Sequence, residues 1–374
     1  MGVILTTSIV FFYPSRTIGG AQLLFVRMAN ELSKLENLNV IVIDYIDGFL
    51  RANVSESVVV LDWVEGSDYK IEGSVYVISP LSMVMDTDAI IKIDQNKGRY
   101  LYWCIHPENT IDILRGSFRL RKYFTNIDTL LKLINFNKYC KVRSKLRAEL
   151  LNNAILFMDG ENKRRTLEFY GLQYDKNMFV PVPVASDIKK IDLSSFKKGK
   201  VIWVGRLSED KIHSLLYVLK MLNEITLPMC EVHVVGDGPC RDLIDKRSYP
   251  HVNITLHGFV DNNSLPKLIL MNEIGLAVGM GTSILETSAM GLPSLLIDPS
   301  YTALPDNYQP KWTFEIRDYI LGGFIHTSNG RSFSDYYFEY CADKDSIIAG
   351  QCLDYVNENH SLEKVTRRLE AYFV

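Results

Sequence analysis

The chain has 374 residues, of which 47% are hydrophobic and 23% are charged, and its formal net charge at pH 7 is −3. This length is enough for two domains, the composition is that of a soluble globular protein, and the small negative charge argues against a nucleic-acid partner. The six cysteines are scattered, with no CxxC pair and no His/Cys cluster of metal-ligand spacing. That usage excludes a disulfide scaffold or zinc finger and favours a reducing cytoplasm.

The first half of the chain alternates apolar strands with helices. Strands are predicted at 3–12, 40–46, 57–61, 75–79, 99–105 and 155–158. After the first strand, Gly19-Gly20 precedes a helix whose apolar positions Ala21, Leu24 and Met28 share one face. Short apolar strands separated by helices are typical of a parallel sheet covered on both faces. Residues 1–13 lack a preceding basic region and a following cleavage site, so we expect a buried strand there rather than a targeting peptide.

Residues 110–150 differ from the rest of the chain in charge. They contain ten Lys or Arg and three acids, a net charge of +7, with large apolar side chains between them. One interpretation is a solvated helical face above ordinary core residues. The other is a surface that lies on anionic lipid. No apolar run approaches the ~20 residues that span a bilayer, so any such contact would be peripheral.

The second half repeats the alternation of strand and helix. An extended segment with two prolines, 180–184, is the best candidate for the boundary between domains. We therefore place domains at 1–182 and 183–349, with a helix at 350–374 that packs back on the first. Strands are predicted at 200–204, 231–235, 253–257, 274–278 and 294–297, and glycine follows all but the last. Because ligands bind outside the carboxyl ends of strands in open α/β sheets, this edge is the expected site.

Two hydroxyl residues and a carboxylate follow the strand at 274–278. Thr282 and Ser283 open a helix whose first N–H groups have no partner within the helix and can face an anion. Glu286 lies one turn further on. A helix start that binds an anion beside a carboxylate suits a phosphorylated sugar or a nucleotide. The alternative is that Ser283-x-x-Glu286 is only a capping box.

Two cations follow the strand at 200–204. Arg206 comes directly after Gly205, and Lys211 lies in the first turn of the next helix. Cations there oppose the helix dipole, so an anion bound between them would explain the pair. Arg supplies a planar fork for phosphate and Lys a point charge. The alternative is a solvated surface pair neutralised by Glu209 and Asp210.

A histidine, His106, ends the strand at 99–105. It is either a hydrogen-bonded core residue or a residue that faces a ligand across a cleft. The chain contains neither GxGxxG nor GxxxxGK[ST], which argues against a dinucleotide dehydrogenase and a P-loop NTPase.

Five motifs occur in an order that carries a family resemblance. They are Gly19-Gly20-Ala21-Gln22, Val204-Gly205-Arg206-Leu207-Ser208-x-x-Lys211, Val235-Gly236-Asp237-Gly238-Pro239, His257-Gly258-Phe259-Val260 and Gly281-x-x-x-x-Glu286-x-x-x-x-Gly291-x-Pro293. Together they resemble the retaining, nucleotide-sugar-dependent glycosyltransferases of family 4. The resemblance implies an α/β protein of GT-B fold, with two facing Rossmann-like domains and the active site in the cleft between them. It is strong over 200–300, moderate over 1–35 and weak over 107–150.

The resemblance also implies roles for individual residues. Arg206 and Lys211 would hold the donor diphosphate, together with the N–H groups of 281–283. Glu286 would bond the ribose hydroxyls, 258–260 would read the base edge, and the diphosphate and transferred sugar would be faced by Gly20 and His106. The residues implied in catalysis are Arg206, Lys211 and His106. Those implied in donor binding are Gly20, Gly205, Gly258, Phe259, Val260, Met280, Gly281, Thr282, Ser283 and Glu286.

Neither a metal nor another cofactor is expected, because in this family cationic side chains and helix dipoles neutralise the leaving diphosphate. The DxD sequence Asp86-Thr87-Asp88 lies outside the donor-binding half and is interpreted as a polar turn or a helix start. One position departs from the family pattern. The first glutamate of its E-x7-E motif, which contacts hydroxyls of the transferred sugar, is replaced by Val278. This indicates either a deoxysugar donor or a loss of activity.

The leading hypothesis is a retaining hexosyltransferase-type enzyme of bacterial surface-polysaccharide (O-antigen or capsule) assembly. It would be cytoplasmic and peripheral on the inner face of the plasma membrane, held there through 110–150. Its donor would be a nucleotide sugar and its acceptor a lipid-linked or soluble saccharide. The alternative is an inactive GT-B scaffold that binds a partner transferase or a saccharide, and a third possibility is a sugar-nucleotide epimerase of related fold.

Overall fold

A computed structural model of the chain describes residues 7–115, 127–185, 188–191, 196–225, 230–261, 263–323 and 330–373. The chain divides into two compact units. The first comprises Met1–Pro183 and Leu362–Val374, and the second comprises Val184–Ser361.

The first unit is an α/β unit with a six-stranded parallel sheet. The strands of the unit, inside and outside that sheet, are β1 (Thr7–Phe12), β2 (Leu38–Asp44), β3 (Val59–Asp62), β4 (Tyr69–Lys70), β5 (Val75–Pro80), β6 (Ile91–Lys92), β7 (Arg99–Cys104) and β8 (Ile155–Phe157). Its helices up to residue 183 are α1 (Gly20–Leu32), α2 (Phe49–Asn53), α3 (Thr87–Ile90), α4 (Asn109–Arg115), α5 (Ile127–Ile134), α6 (Phe136–Leu151) and α7 (Gly160–Tyr170). The sheet has the order β3-β2-β1-β5-β7-β8, and β4 pairs separately with β6.

The central strands of this sheet are buried on both faces. Residues 9–12 of β1 and all of β5 are buried, as expected for continuous apolar runs in a parallel sheet covered by helices. Phe11 of β1 packs edge-on against Phe25 of α1, with ring centroids 5.6 Å apart. Of the positions predicted to share one face of α1, Leu24 and Met28 are buried and Ala21 is half-buried.

The second unit contains another six-stranded sheet. Its strands are β9 (Lys197–Val204), β10 (Cys230–Val235), β11 (Val252–Gly258), β12 (Ile274–Gly279), β13 (Ser294–Leu296) and β14 (Lys311–Trp312). Its helices are α8 (Ile212–Glu224), α9 (Leu265–Met271), α10 (Gly281–Ala289), α11 (Phe333–Glu339) and α12 (Asp345–Asn359). The order is β11-β10-β9-β12-β13-β14, parallel except for the antiparallel β14, which the sequence reasoning did not predict.

The chain ends in the first unit. The last helix, α13 (Leu362–Glu370), contacts α1, and Val365 and Leu369 on it are fully buried. The sequence grouped all of 350–374 with the first domain, but residues 350–361 belong to the second unit, because α12 packs against α10 there.

The proline-containing segment at 180–184 is extended and buried rather than a solvent-exposed linker. The N–H of Val180 donates to the carbonyl of Phe157 at 2.9 Å. The indole Nε1 of Trp103 donates to the carbonyl of Val180 at 3.0 Å. Residues up to Pro183 are thus held to the edge of the first sheet before the chain enters the second unit.

Candidate functional site

The loops after β9, β10 and β11 are joined by backbone hydrogen bonds. Gly205 N–H donates to Val235 O at 3.0 Å, and Gly236 N–H donates to Gly258 O at 2.8 Å. Gly236 has φ +136°, and a Cβ placed on it would lie 2.0 Å from Gly205 O. A side chain at 236 would therefore push the loops apart. The glycines predicted at the strand ends fix the spacing of these loops.

Arg206 and Lys211 lie at the centre of this edge, because β9 is paired with both β10 and β12. Arg206 is exposed, whereas Lys211 is half-buried at the N-cap of α8. Burial lowers the pKa of the Lys211 ammonium; the Asp210 carboxylate opposes that shift, and the Arg206 guanidinium adds to it. A half-buried ammonium beside a second cation is an unfavourable arrangement that a bound anion would relieve.

The start of α10 is not capped by a side chain. Its N-cap is Met280, which is buried and makes no side-chain cap bond. The Ser283 hydroxyl instead donates to Val204 O at 2.7 Å and to Met280 O at 2.9 Å. The alternative interpretation of Ser283-x-x-Glu286 as a capping box is therefore wrong, because the helix starts at Gly281 and Ser283 already lies inside it.

One of the N–H groups at the start of α10 is bonded to another part of the protein. Gly281 N–H donates to Leu321 O at 3.0 Å, so this N–H group already has a partner, whereas we expected the N–H groups of 281–283 to be available to a ligand. Thr282 and Ser283 occupy the second and third helical positions, whose N–H groups have no partner inside a helix. Gly281 has φ +64°, and a Cβ built on it would meet nothing within 4 Å. The helix start thus has open space beside Gly281, and the N–H groups of the two following residues are the donors that a ligand could use.

Position 278 cannot supply a carboxylate to a ligand in this fold. Val278 lies within β12, pairs in register with Leu295 of β13, and is 1% exposed in the core of the second unit. Glu286 is half-buried on α10, eight residues on. The position eight residues before Glu286 therefore lies inside β12 and is part of the core.

The end of β11 places one exposed ring at the same edge. Gly258 has φ +68°, Phe259 is 83% exposed, and Val260 packs against the core. Beneath them, His233 Nδ1 and His257 Nε2 lie 3.0 Å apart in stacked rings. Sequence reasoning missed this imidazole pair, because the two residues lie on different strands and meet only through the register of β10 and β11.

Gly20 and His106 both lie at the carboxyl edge of the first unit's sheet. Gly20 is the exposed first residue of α1, which has no side-chain cap. His106 is exposed, so it is not a core residue, and its Nδ1 accepts from Glu108 N–H at 3.1 Å. The neutral imidazole then carries its proton on Nε2.

One titratable group at this edge escaped the sequence reasoning. Asp159 follows β8, next to the end of β7, and accepts from Asn162 N–H at 2.7 Å as the cap of α7. Burial raises the pKa of Asp159 to about 7, against the opposing effect of that bond. An Asp directly after an apolar strand was the available signal.

The DxD sequence has a structural role, as predicted. Asp86 is the N-cap residue of α3, and Asp88 accepts from Lys145 Nζ at 2.6 Å. Among the residues that the structure describes, no group of three or more His, Cys, Asp or Glu could hold a metal ion.

Both units have the architecture of solved glycosyltransferases. HepE of Anabaena, solved with UDP and glucose, is 12% identical with a TM-score of 0.55, covering 98% of this chain and 99% of that chain. A glycosyltransferase from Rickettsia africae ESF-5 is 14% identical with a TM-score of 0.58, covering 98% of each chain. The lipopolysaccharide outer core galactosyltransferase WaaB, in its apo form, is 10% identical with a TM-score of 0.53, covering 97% of this chain and 98% of that chain. The predicted fold class, GT-B with two Rossmann-like domains, is confirmed.

The sequence of the second unit is similar to one family of proteins. Residues 198–310 match the family model of the glycosyl transferases group 1. The chain is similar to the group 1 glycosyltransferases. The matched range contains Arg206, Lys211 and Glu286, so the predicted donor residues lie in the part that carries the match. No curated protein matches the chain. No helix among the described residues is long and apolar enough to cross a membrane.

Proposed function

We propose that this glycosyltransferase moves a sugar from a nucleotide-sugar donor to a saccharide acceptor, with retention of anomeric configuration. The observation that carries the proposal is the cationic pair at the end of β9. Half-buried Lys211 lies at a helix start beside Arg206, and the neighbouring α10 offers two further N–H donors. A diphosphate placed there would meet a guanidinium fork, an ammonium and a helix dipole.

In this proposal the chain's own groups neutralise the leaving diphosphate. As the bond from the sugar to the phosphate oxygen breaks, negative charge develops on that oxygen. Arg206, Lys211 and the N–H groups of Thr282 and Ser283 would stabilise the charge from fixed positions, which is the most effective form of electrostatic catalysis. Glu286 would accept hydrogen bonds from the ribose, and Phe259 would lie beside the base. The resemblance also implies a role for His106 of the first unit. No metal is required for these roles.

The biological setting is also part of the proposal. Surface-polysaccharide assembly in a bacterium, on a lipid-linked acceptor at the inner face of the plasma membrane, is supported by the motif resemblance. It is also supported by the similar fold of WaaB, a galactosyltransferase of the lipopolysaccharide outer core.

The direct test is donor binding followed by turnover without metal. Calorimetry with a panel of nucleotide sugars is expected to find at least one that binds, and transfer or slow hydrolysis of that donor is expected to run at the same rate in excess EDTA. Activity lost in EDTA and restored by Mn²⁺ would contradict charge neutralisation by Arg206 and Lys211. A wild-type protein that binds none of the panel would contradict the function as a whole.

An inactive scaffold is the second candidate, and Val278 is the observation that favours it. A buried valine replaces an acid that contacts the transferred sugar in the family. A scaffold would bind nucleotide or saccharide without turnover, so the turnover assay decides between the two candidates.

We also propose that the first unit docks on anionic membrane through α5 and α6. Four large apolar side chains there are between 40% and 68% exposed: Leu130, Leu133, Ile134 and Phe136. The exposed face of α6 adds three cations with no ion pair among the described residues: Lys138, Lys141 and Arg147. Apolar side chains beside cations are what an interfacial helix presents to anionic lipid.

The structure changes which basic residues can serve this docking. Residues 119, 121 and 122 of the basic run lie outside the described residues. Arg143 Nε donates to Tyr170 O at 2.8 Å, and Lys145 pairs with Asp88 and Glu149. Those two side chains are therefore engaged within the protein, and we leave them out of the docking surface.

Vesicle co-sedimentation should separate the two contributions. Changing Lys138, Lys141 and Arg147 to Ser is expected to reduce binding to anionic vesicles, with up to about 1 kcal/mol lost per cation. The binding of the wild type should also fall at 1 M salt, where the Debye length is about 3 Å.

Two further variants complete that experiment. Changing Leu133, Ile134 and Phe136 to Ser should reduce binding at every salt concentration. The matched control changes Lys246, Arg247 and Lys267, exposed cations of the second unit, to Ser. Equal losses for control and test variants, or equal wild-type binding to neutral vesicles, would show that α5 and α6 form an ordinary solvated surface.

A further inference from the structure

The loops after β1 and β2 are held rigidly together by a buried carboxylate. Asp44, at the end of β2, is fully buried and accepts from three backbone N–H groups: Ser15 at 2.7 Å, Tyr45 at 2.9 Å and Arg51 at 3.1 Å. Phe49 N–H donates back to Ser15 O at 2.7 Å. A carboxylate with several backbone donors fixes a loop strongly, since each such bond involves a charged group.

This scaffold presents one arginine in a fixed orientation. The Arg16 guanidinium stacks on the Tyr45 ring, 3.8 Å from its centroid. Its Nε donates to both carboxylate oxygens of Asp47, at 2.8 and 2.9 Å. The two Nη groups make no hydrogen bond to any residue that the structure describes. Arg16 therefore holds its terminal donors towards solvent without the freedom of an ordinary surface arginine.

Apolar side chains flank this arginine in the sequence of both loops. Ile18 is 70% exposed, and Ile46, between Tyr45 and Asp47, is 74% exposed. Single exposed apolar residues are common on any surface. Here two of them accompany an oriented guanidinium, at the sheet edge that also carries Gly20 and His106. An oriented planar cation in loops that also carry two exposed aliphatic side chains matches an oxyanion attached to an apolar chain.

We propose that Arg16, Ile18 and Ile46 form an acceptor subsite for a phosphate esterified to an apolar chain. The Nη groups would bind the phosphate oxygens in a bidentate manner, and the isoleucines would contact the first carbons of the chain. The inference rests on the proposed function, in that it names the part of a lipid-linked acceptor that this edge would hold.

Binding of geranyl phosphate, measured by calorimetry without donor, tests the subsite. Geraniol is the same chain without the phosphate, and inorganic phosphate lacks the chain. Wild type is expected to bind geranyl phosphate about tenfold or more tightly than geraniol, the scale of a hydrogen bond to a charged group. Arg16→Gln should bring the two affinities together, while Ile46→Ser should weaken both compounds and preserve their ratio.

Arg51→Gln is the matched control, because that guanidinium on the same edge already pairs with Asp62. It should retain the wild-type ratio. Equal loss in Arg51→Gln and Arg16→Gln, or an unchanged ratio in Arg16→Gln, would overturn the subsite. Thermal unfolding of each variant checks the fold. Nucleotide-sugar binding in the same samples reports separately on the second unit, so a failed subsite with intact donor binding leaves the proposed function standing.

Discussion

Replacing Lys211 with Met is expected to abolish most of the activity and to make the free protein more stable. The loss in kcat/KM should correspond to about 2–4 kcal/mol of transition-state stabilisation, up to roughly a thousandfold in rate. The gain in stability follows from the lowered pKa of Lys211, because a charged ammonium that is half-buried beside Arg206 opposes folding. Arg206 is exposed, and only the half-buried Lys211 adds this second effect.

The sign of the pH dependence follows from the same shift. A lysine whose pKa is lower in the folded state destabilises the fold while it is charged, and this penalty disappears as pH rises through the folded and then the unfolded pKa. Lys211→Met should therefore raise the melting temperature at neutral pH, and the difference from wild type should shrink in alkaline solution.

Two variants control for other effects in the Lys211 experiment. Lys220→Met removes an exposed lysine from the same helix, one that pairs with Asp306. It should leave both activity and the alkaline stability profile close to wild type. Arg206→Ala, at an exposed position, should lose activity to a similar extent with a smaller gain in stability, because burial, the main cause of the lowered pKa of Lys211, remains. Full turnover by the Arg206/Lys211 double variant would remove the diphosphate role altogether.

Replacing Glu286 with Gln should weaken donor affinity by about 1.5–3 kcal/mol and leave the melting temperature unchanged. This loss of affinity has the scale of a hydrogen bond to a charged group, here the bonds that the ribose hydroxyls would donate to the Glu286 carboxylate. Stability should be retained because no capping box exists at this helix start, since the Ser283 hydroxyl bonds to Val204 O. Calorimetric titration with the nucleotide sugar that binds in the panel measures donor affinity, and thermal unfolding measures the melting temperature.

Glu224→Gln provides the comparison for Glu286→Gln. Glu224 is an exposed acid at the end of α8, and its substitution should not change donor affinity. If Glu286→Gln binds donor as tightly as Glu224→Gln does, the carboxylate has no ribose role. If turnover falls while donor affinity stays constant, Glu286 instead stabilises only the transition state.

The sequence predicted the parallel core of each unit, because apolar strands buried on both faces appear as uninterrupted hydrophobic runs. It also predicted the edge at which candidate residues gather, since glycines after successive parallel strands end at one edge. The antiparallel β14 and the two-residue strands β4 and β6 were missed, because two residues carry no periodicity. Their pairing depends on tertiary contacts.

Within the site, it was easier to predict which residues are present than to predict the atoms to which their side chains bond. Ser283 fits a capping box by spacing, but its place inside α10 depends on Met280 being the N-cap residue. Val278 appeared as a missing acid, and only the continuation of β12 shows that the position is part of the core. The Asp44 scaffold beneath Arg16 joins residues 29 apart in sequence, a separation at which no local pattern operates.

The return of α13 to the first unit has a consequence during synthesis. Proteins emerge from the ribosome amino end first, and an amino-terminal domain generally folds as soon as it is complete. Here the surface of α1 that meets α13 stays uncovered until the whole second unit has been translated, and Met28 contacts Thr366 only then. The nascent first unit thus exposes an apolar helix face for the time needed to add Val184–Ser361, almost half of the chain. That face is a natural binding surface for a chaperone.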